Sequence, residues 1–455
     1  MSTCPVIGTK KTKGKTLTED VSGEVSRGAK AVVVLPDIRA AHIQDPEARL
    51  AEGCGLALAI GIEVVESFIV PVRDVRPATL FGSGQVDRIK LACDMEEAEL
   101  VIVDGALSAI QQRNLEEKIG RKVIDRTGLI LEIFGERAAT AEGRLQVELA
   151  HLDYQAGRLV RSWTHLERQR GGFGFLGGPG ETQIEADRRM IRDRMGRLRR
   201  ELEQVRRTRA LHRARRGRAP WPVVALVGYT NAGKSTLFNR MTGAGVMAED
   251  LLFATLDPTM RGITLPGVEK AILSDTVGFI SDLPTQLVAA FRATLEEVTG
   301  ADVIVHVRDI SSPMTDMQKA EVEQVLADLG VNTGEEDSLV IPVVEAWNKW
   351  DALTEVRSEE LTEQAEREER AVVPLSALTG LGVVALERTV SDILTASAVV
   401  HSFTLPATDG QRIAWLHAHG EVLDERTGKG EDGSPQLEMA VRLDPREYGK
   451  FLALS

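Results

Sequence analysis

Gly228-Tyr229-Thr230-Asn231-Ala232-Gly233-Lys234-Ser235 stands between an apolar run, Val223–Val227, and a helical pattern over residues 235–241. It is a GxxxxGK[ST] loop in a strand, turn and helix setting, and phosphate chemistry accounts for each residue type. The glycines let the backbone wrap around phosphate oxygens and aim N–H groups at them, at the positive end of the following helix. Lys234 adds a point charge for the β and γ phosphates, and the Ser235 hydroxyl suits magnesium. The stretch predicts a parallel α/β domain that binds a nucleoside triphosphate.

Three further segments extend the site along the chain. Asp275-Thr276-Val277-Gly278 follows the strand pattern AILS, and it supplies a carboxylate for magnesium through water and a glycine N–H for the γ phosphate. Between it and the P-loop, Phe253-Ala254-Thr255-Leu256-Asp257-Pro258-Thr259 offers two hydroxyls for a segment ordered by γ phosphate and metal, with Thr255 favoured over Thr259. Asn348-Lys349-Trp350-Asp351 follows IPVVEAW, a strand pattern. Asp351 can accept from N1–H and the exocyclic amine of guanine, a donor pair that adenine lacks, so it reads the base. Ser376-Ala377-Leu378, after AVVPL, can present a backbone N–H to guanine O6.

The expected nucleotide-binding set is residues 228–235, Phe253, Ala254, Thr255, Asp275, Thr276, Gly278, residues 348–351 and residues 376–378. Lys234, Thr255 and Gly278 are expected to act in hydrolysis, and Ser235, Thr255 and Asp275 to hold Mg2+. GTP is then the substrate and GDP the product. The position after Gly278, where a water-orienting glutamine is common, holds Phe279, which predicts slow intrinsic turnover.

The run GYTNAGKSTLFN with FATLDPT, DTVGF and NKWD, preceded by NLEEKIGRKVIDRTGLILEIFGERAATAEGRLQVELAHLDY and GGPGETQIEADRRMI, resembles the HflX family of ribosome-associated GTPases. The resemblance covers roughly residues 30–395, and GGPGETQIEADRR is more family-specific than the nucleotide motifs. It implies a cytosolic GTPase that binds the large ribosomal subunit and splits stalled ribosomes after stress, stimulated by the ribosome. It also implies that Ser235 and Thr255 ligate magnesium. Gln85 and Ala109 depart from the family pattern, which has lysine and proline there.

Upstream of the P-loop, AVVVLP from Ala31, IEVVESFIVPV, ELVIVDG and the start of VIDRTGLILEIFG read as strands. They alternate with helical patterns over residues 45–53, 84–95 and 107–119, which predicts a mainly parallel sheet covered on both faces. From Leu145 the period changes: Leu145, Leu149, Leu152, Ala156, Leu159, Trp163 and Leu166 form one stripe, and Ile184, Ile191, Met195, Leu198, Leu202 and Val205 a second. RGGFGFLGGPGE between them would break any helix, so a long antiparallel hairpin with a glycine-rich tip is expected. RRGRAPWP is a linker, and after residue 396 SFTLP and EMAVRL read as strands, with helices over GQRIAWLHAH and from Pro445.

The fold class is therefore α/β: a flexible tail (1–27), an N-terminal mainly parallel α/β domain (28–140), a long antiparallel helical hairpin (141–218), a P-loop GTPase domain (219–396) and a small C-terminal α+β domain (397–455). The 455 residues, 43% hydrophobic and 27% charged, exclude a disordered or collagen-like chain. Cys4, Cys54 and Cys93 have no CxxC spacing, so neither a disulfide framework nor a thiolate zinc site is expected. No apolar run approaches the roughly 20 residues of a bilayer span, no secretory signal is expected, and the cytoplasm is the expected location.

The net charge of −13 conceals a strongly basic segment: residues 158–218 hold 18 Arg, no Lys and 7 acidic residues, a balance of +11. Arginine suits bidentate phosphate recognition, although a solvated helix face is the bland alternative. With the family resemblance, Arg168, Arg170, Phe173 and Phe175 at the hairpin tip are expected to contact ribosomal RNA, by phosphate pairing and base stacking. The expected partners are the large ribosomal subunit and its RNA, with no DNA, and a monomer when free. Two readings stay open beside ribosome splitting: a large-subunit assembly factor, and a GTP-switched module binding a protein.

Overall fold

The computed structural model describes residues 27–38, 45–169, 183–216, 221–244, 252–253, 259–281, 297–331, 340–368, 370–396, 399–429, 435–443 and 445–454. The first unit alternates β1 (Lys30–Ile38), α1 (Pro46–Ala59), β2 (Glu63–Val72), α2 (Ser83–Met95), β3 (Leu100–Val103), α3 (Ala109–Ile119), β4 (Lys122–Asp125) and α4 (Arg126–Arg137). The four strands form an all-parallel sheet in the order β2-β1-β3-β4. Its central strands are continuous apolar runs because helices cover both faces: Ala31 and Val33 join one core, Val32 and Val34 the other.

α1 begins where Asp45 accepts from the Glu47 and Ala48 N–H groups and Pro46 fills the first turn. It runs to Ala59, past the expected end near Gly53, because Gly53 is needed for close approach inside the helix. A Cβ there would stand 3.0 Å from the Asp104 carboxylate. Gln85, one of the two departures from the family pattern, caps α2 by accepting from Gly82 N–H at 2.8 Å and donating to Pro71 O at 2.6 Å. Ala109 opens α3 behind the capping Ser108.

α5 (Ala141–Gln169) and α6 (Gln183–Arg216) form the long hairpin, with Arg194 donating to Glu148 at 2.8 Å. Met195, Leu198 and Leu202 of the second stripe are buried as expected. On α5 the outcome differs, since Leu145, Leu149, Leu152 and Ala156 are only half-buried while Gln146, Val147 and Ala150 are buried. α5 serves two neighbours: one face meets α6 and the other packs on α3 and α4. The expected stripe was one of two. The glycine-rich tip, with Arg170, Phe173 and Phe175, lies outside the described residues, as does the Arg168 side chain.

The third unit holds β5 (Val223–Val227), α7 (Lys234–Thr242), β6 (Thr259–Leu265), β7 (Val268–Asp275), β8 (Val303–Asp309), α8 (Thr315–Asp328), β9 (Val343–Asn348), α9 (Glu355–Ala365), β10 (Val372–Pro374) and α10 (Val383–Thr395). Its sheet runs β10-β9-β8-β5-β7-β6, parallel except for β6, which pairs antiparallel with β7. The P-loop and the NKWD and SAL segments all leave the carboxyl ends of parallel strands, so they meet at one edge. Trp347 is fully buried and packs with Ile310 and Leu361.

The last unit is an antiparallel sheet, β11-β13-β12, of β11 (Val399–Pro406), β12 (Glu421–Lys429) and β13 (Pro435–Leu443). α11 (Gly410–His419) and α12 (Pro445–Leu452) pack on it around Leu416, Met439, Val441 and Phe451. β12, EVLDERTGK, carries too little apolar alternation to read as a strand, yet it pairs with β13 over most of its length. Among the described residues no helix is long and apolar enough to cross a membrane.

Candidate functional site

The P-loop takes a backbone path that its glycines make possible. Gly228 and Gly233 have φ of 149° and 95°. A Cβ on Gly228 would enter the Val307 carbonyl, and one on Gly233 the Asn348 amide, so close packing as well as conformation requires glycine at both.

Lys234 is buried, and its ammonium donates to Gly228 O at 3.0 Å and Tyr229 O at 2.7 Å. Two of three protons are spent on holding the loop, and the third is available to a phosphate. Burial lowers its pKa to about 8, while Asp275 pulls the other way. Ser235 Oγ donates to Asp275 Oδ2 at 2.8 Å, which joins the P-loop to the end of β7.

The DTVG segment is tied to the P-loop backbone to backbone. Phe279 N–H donates to Gly228 O at 3.1 Å, and Thr230 N–H donates to Phe279 O at 2.7 Å. Gly278 sits within this ladder, where a Cβ would stand 3.1 Å from Lys234 Nζ. The Phe279 side chain is 2% exposed and packed in the core, so it faces no solvent. Thr276, expected among the nucleotide ligands, spends its hydroxyl on Leu226 O at 2.6 Å and so locks β7 to β5.

Where the P-loop, NKWD and SAL segments meet, Asn348 is the central clamp. Its Nδ2 donates to Ala232 O at 2.8 Å and its Oδ1 accepts from Ala377 N–H at 2.8 Å, so one amide holds the P-loop and the SAL loop together. Lys349 adopts φ 63° and pairs with Asp309 at 2.9 Å, while Trp350 packs against the Trp347 cluster. Asp351 is exposed on the single turn Trp350–Ala352. Ser376 N–H bonds Leu381 O, which leaves Leu378 N–H as the SAL amide without a hydrogen bond among the described residues. Arg240 of α7 holds the loop from below by donating to the Ala377 and Leu378 carbonyls. The sequence offered no signal for Arg240.

Two expected ligands turn their side chains elsewhere. Phe253 packs edge-on against Phe134 of α4 with centroids 4.7 Å apart, so only its backbone is left to face a nucleotide. Tyr229 sends its hydroxyl to Glu52 of α1 at 2.6 Å. Ala254 and Thr255 lie outside the described residues, and Thr259 begins β6 opposite Asp275.

Residues 47–135 match the profile of a GTP-binding GTPase N-terminal region, residues 137–216 that of a GTP-binding GTPase middle region, and residues 223–349 that of a 50S ribosome-binding GTPase. GTPase HflX of Magnetococcus marinus is 50% identical over 396 residues, spanning 87% of this chain and 88% of its own length. The Escherichia coli GTPase HflX is 42% identical over 394 residues, 87% of this chain and 90% of that protein. The Caldanaerobacter subterraneus GTPase HflX is 39% identical over 406 residues, 89% and 90% of the two lengths. With these three regions in order and such relatives along nearly its whole length, the chain is a GTPase and belongs to the HflX family.

Proposed function

We propose that this GTPase is magnesium-dependent, binds the large ribosomal subunit and uses its GTP cycle to split or rescue stalled 70S particles under stress. The nucleotide part rests on the Asn348 clamp, which presents a P-loop and a base loop as one rigid cradle. Asp351 accepts from the guanine N1–H and amine, and Leu378 N–H donates to O6. Lys234 holds the β and γ phosphates, and Gly278 N–H meets the γ phosphate.

Magnesium fits the residues present. Ser235 Oγ and the buried Asp275 carboxylate lie together, a hard oxygen pair that phosphate and water oxygens would complete. Among the described residues no three His, Cys, Asp or Glu side chains converge. Ser235, Asp275 and Thr255 would hold the ion, which neutralises charge developing on the phosphates.

The side chain at position 279 turns into the core, so nothing there orients the attacking water; intrinsic hydrolysis is slow and a partner supplies or orders the missing group. The match to a 50S ribosome-binding GTPase over residues 223–349 supports the ribosome as that partner. Arg168, Arg170, Phe173 and Phe175 at the hairpin tip are the proposed contacts with ribosomal RNA. The test is the GTP hydrolysis rate of the protein alone, with large subunits and with 70S particles. Stimulation by ribosomal particles, with subunits separating in the GTP state, is the expected result. Equal rates in all three arms would overturn the ribosome role and leave the GTPase assignment standing.

A further inference from the structure

Three segments that flank the triphosphate site each end on the N-terminal unit. Tyr229, in the P-loop, donates its hydroxyl to Glu52 Oε2 at 2.6 Å. Ser281, three residues beyond Gly278, donates its N–H to the same Tyr229 hydroxyl at 2.7 Å and sets its Oγ 2.5 Å from it. The Ser281 carbonyl accepts from Arg126 at 3.1 and 3.2 Å, and its Oγ also bonds Glu321 at 3.1 Å. In the third segment the Leu252 side chain rests 3.2 Å from where a Cβ on Gly55 of α1 would stand, and Phe253 packs on Phe134.

The N-terminal side of this contact is a closed ion network. Arg126 bonds Glu52 and, at 2.5 Å, Asp104, which also accepts from Arg49 at 3.3 Å. The side chains of Arg126 and Asp104 are almost dry and that of Glu52 is 11% exposed. Burial opposes the charge on Arg126, but Asp104 and Glu52 outweigh it and raise its pKa. Burial first, and Glu52 second, keep the Tyr229 hydroxyl protonated and therefore a donor. Charges buried in this way are tolerated only while every partner stays in place, so the contact is held as a unit.

Gly278 stands just before two fixed points. The Phe279 and Thr230 ladder binds the next residue to the P-loop, and two residues further on Ser281 is pinned by Tyr229 and Arg126. We propose that Glu52 and Arg126 are positioning residues of the GTPase site. Through Tyr229 and Ser281 they fix where Gly278 N–H meets a γ phosphate, and by reciprocity a bound γ phosphate tightens the contact with the N-terminal unit. The inference rests on reading Gly278 as the γ-phosphate contact.

The test is a titration of the full chain with GDP and with the β,γ-imido analogue of GTP, in the wild type and in Tyr229→Phe, Glu52→Gln, Glu52→Ala and the Tyr229→Phe/Glu52→Ala double variant. Tyr229→Phe and Glu52→Ala should lose analogue affinity roughly five- to fifty-fold while GDP affinity stays within about two-fold, because GDP has no γ phosphate. The double variant should lose no more than the worse single one, since both cut the same link. Glu52→Gln keeps one acceptor oxygen where Glu52 uses both, for Tyr229 and for Arg126, so it should lose part of the analogue affinity, no more than Glu52→Ala, and spare GDP. Should Glu52→Ala fail to fold, Tyr229→Phe decides alone, because it deletes a single oxygen. Equal loss for both nucleotides, no loss, or additive losses would overturn the inference with the site reading intact. A wild type that binds GDP and the analogue equally tightly would overturn the reading of Gly278, and this inference with it.

Discussion

Asn348→Ala probes whether the base loop and the P-loop are one preorganised cradle. Asn348 is buried and makes two hydrogen bonds, to Ala232 O and from Ala377 N–H, both 2.8 Å. Removing the amide strands an acceptor and a donor on residues that are 1% and 2% exposed. Each stranded buried group costs about 1–3 kcal/mol, so the pair costs about 2–6 kcal/mol, or about 1–3 kcal/mol if water reaches one of them. Urea unfolding followed by tryptophan fluorescence reads this directly, as Trp347 is buried in the adjoining residue. Nucleotide affinity falls as well. If the held geometry drops to about a tenth or a hundredth of the population, apparent affinity drops in the same ratio. GTP and GDP should suffer alike, since the clamp lies on the base side. A loss below about 0.5 kcal/mol, or a defect confined to GTP, would refute the reasoning.

The Lys234 pKa of about 8 predicts a pH dependence of binding. If Lys234 holds the phosphates as proposed, its ammonium must be charged, so affinity should be flat below pH 8 and fall up to about tenfold per unit above it. Stability moves the other way: the unfolded chain keeps this proton up to its ordinary pKa near 10.5, so the cost of burying the charge is full below 8 and relieved between 8 and 10.5. Isothermal titration of GDP across pH 7–10 checks the binding, and the same decline in Lys234→Met would contradict it. Phe279→Gln should not accelerate hydrolysis, because the side chain is directed into the core, and should cost about 2–4 kcal/mol. Faster turnover in single-turnover assays would show that the position does reach the water. Replacing Arg168 and Arg170 together with Ala should weaken ribosome binding and lower the salt slope by about one to two. Sedimentation at several salt concentrations measures both, and unchanged values would rule the tip out as a phosphate contact.

The GTPase assignment was legible because its motifs are written in contiguous segments. The GYTNAGKS, DTVG, NKWD and SAL runs each sit on one strand-to-loop junction, and their chemistry follows from residue types a few positions apart. The parallel sheets were legible for a related reason: strands buried on both faces read as continuous apolar runs. A helix with two buried faces, such as α5, was legible only in part, because the stripe meeting α6 stood out and the one meeting α3 and α4 did not. β12 was hidden because its pairing with β13, and not its own pattern, makes it a strand.

The sequence by itself determined that the chain is a P-loop GTPase, since that property resides in contiguous motifs, local backbone conformation and single functional groups. Tertiary structure alone decided what holds the segments in place. Asn348 clamps two loops 116 and 29 residues away, and Tyr229 meets Glu52 across 177 residues. Pairings at such separations leave no periodicity and no spacing in the chain. They exist only because packing the N-terminal unit on the GTPase unit brings α1 and α4 against the P-loop and the segment after Gly278, where buried polar groups must find partners.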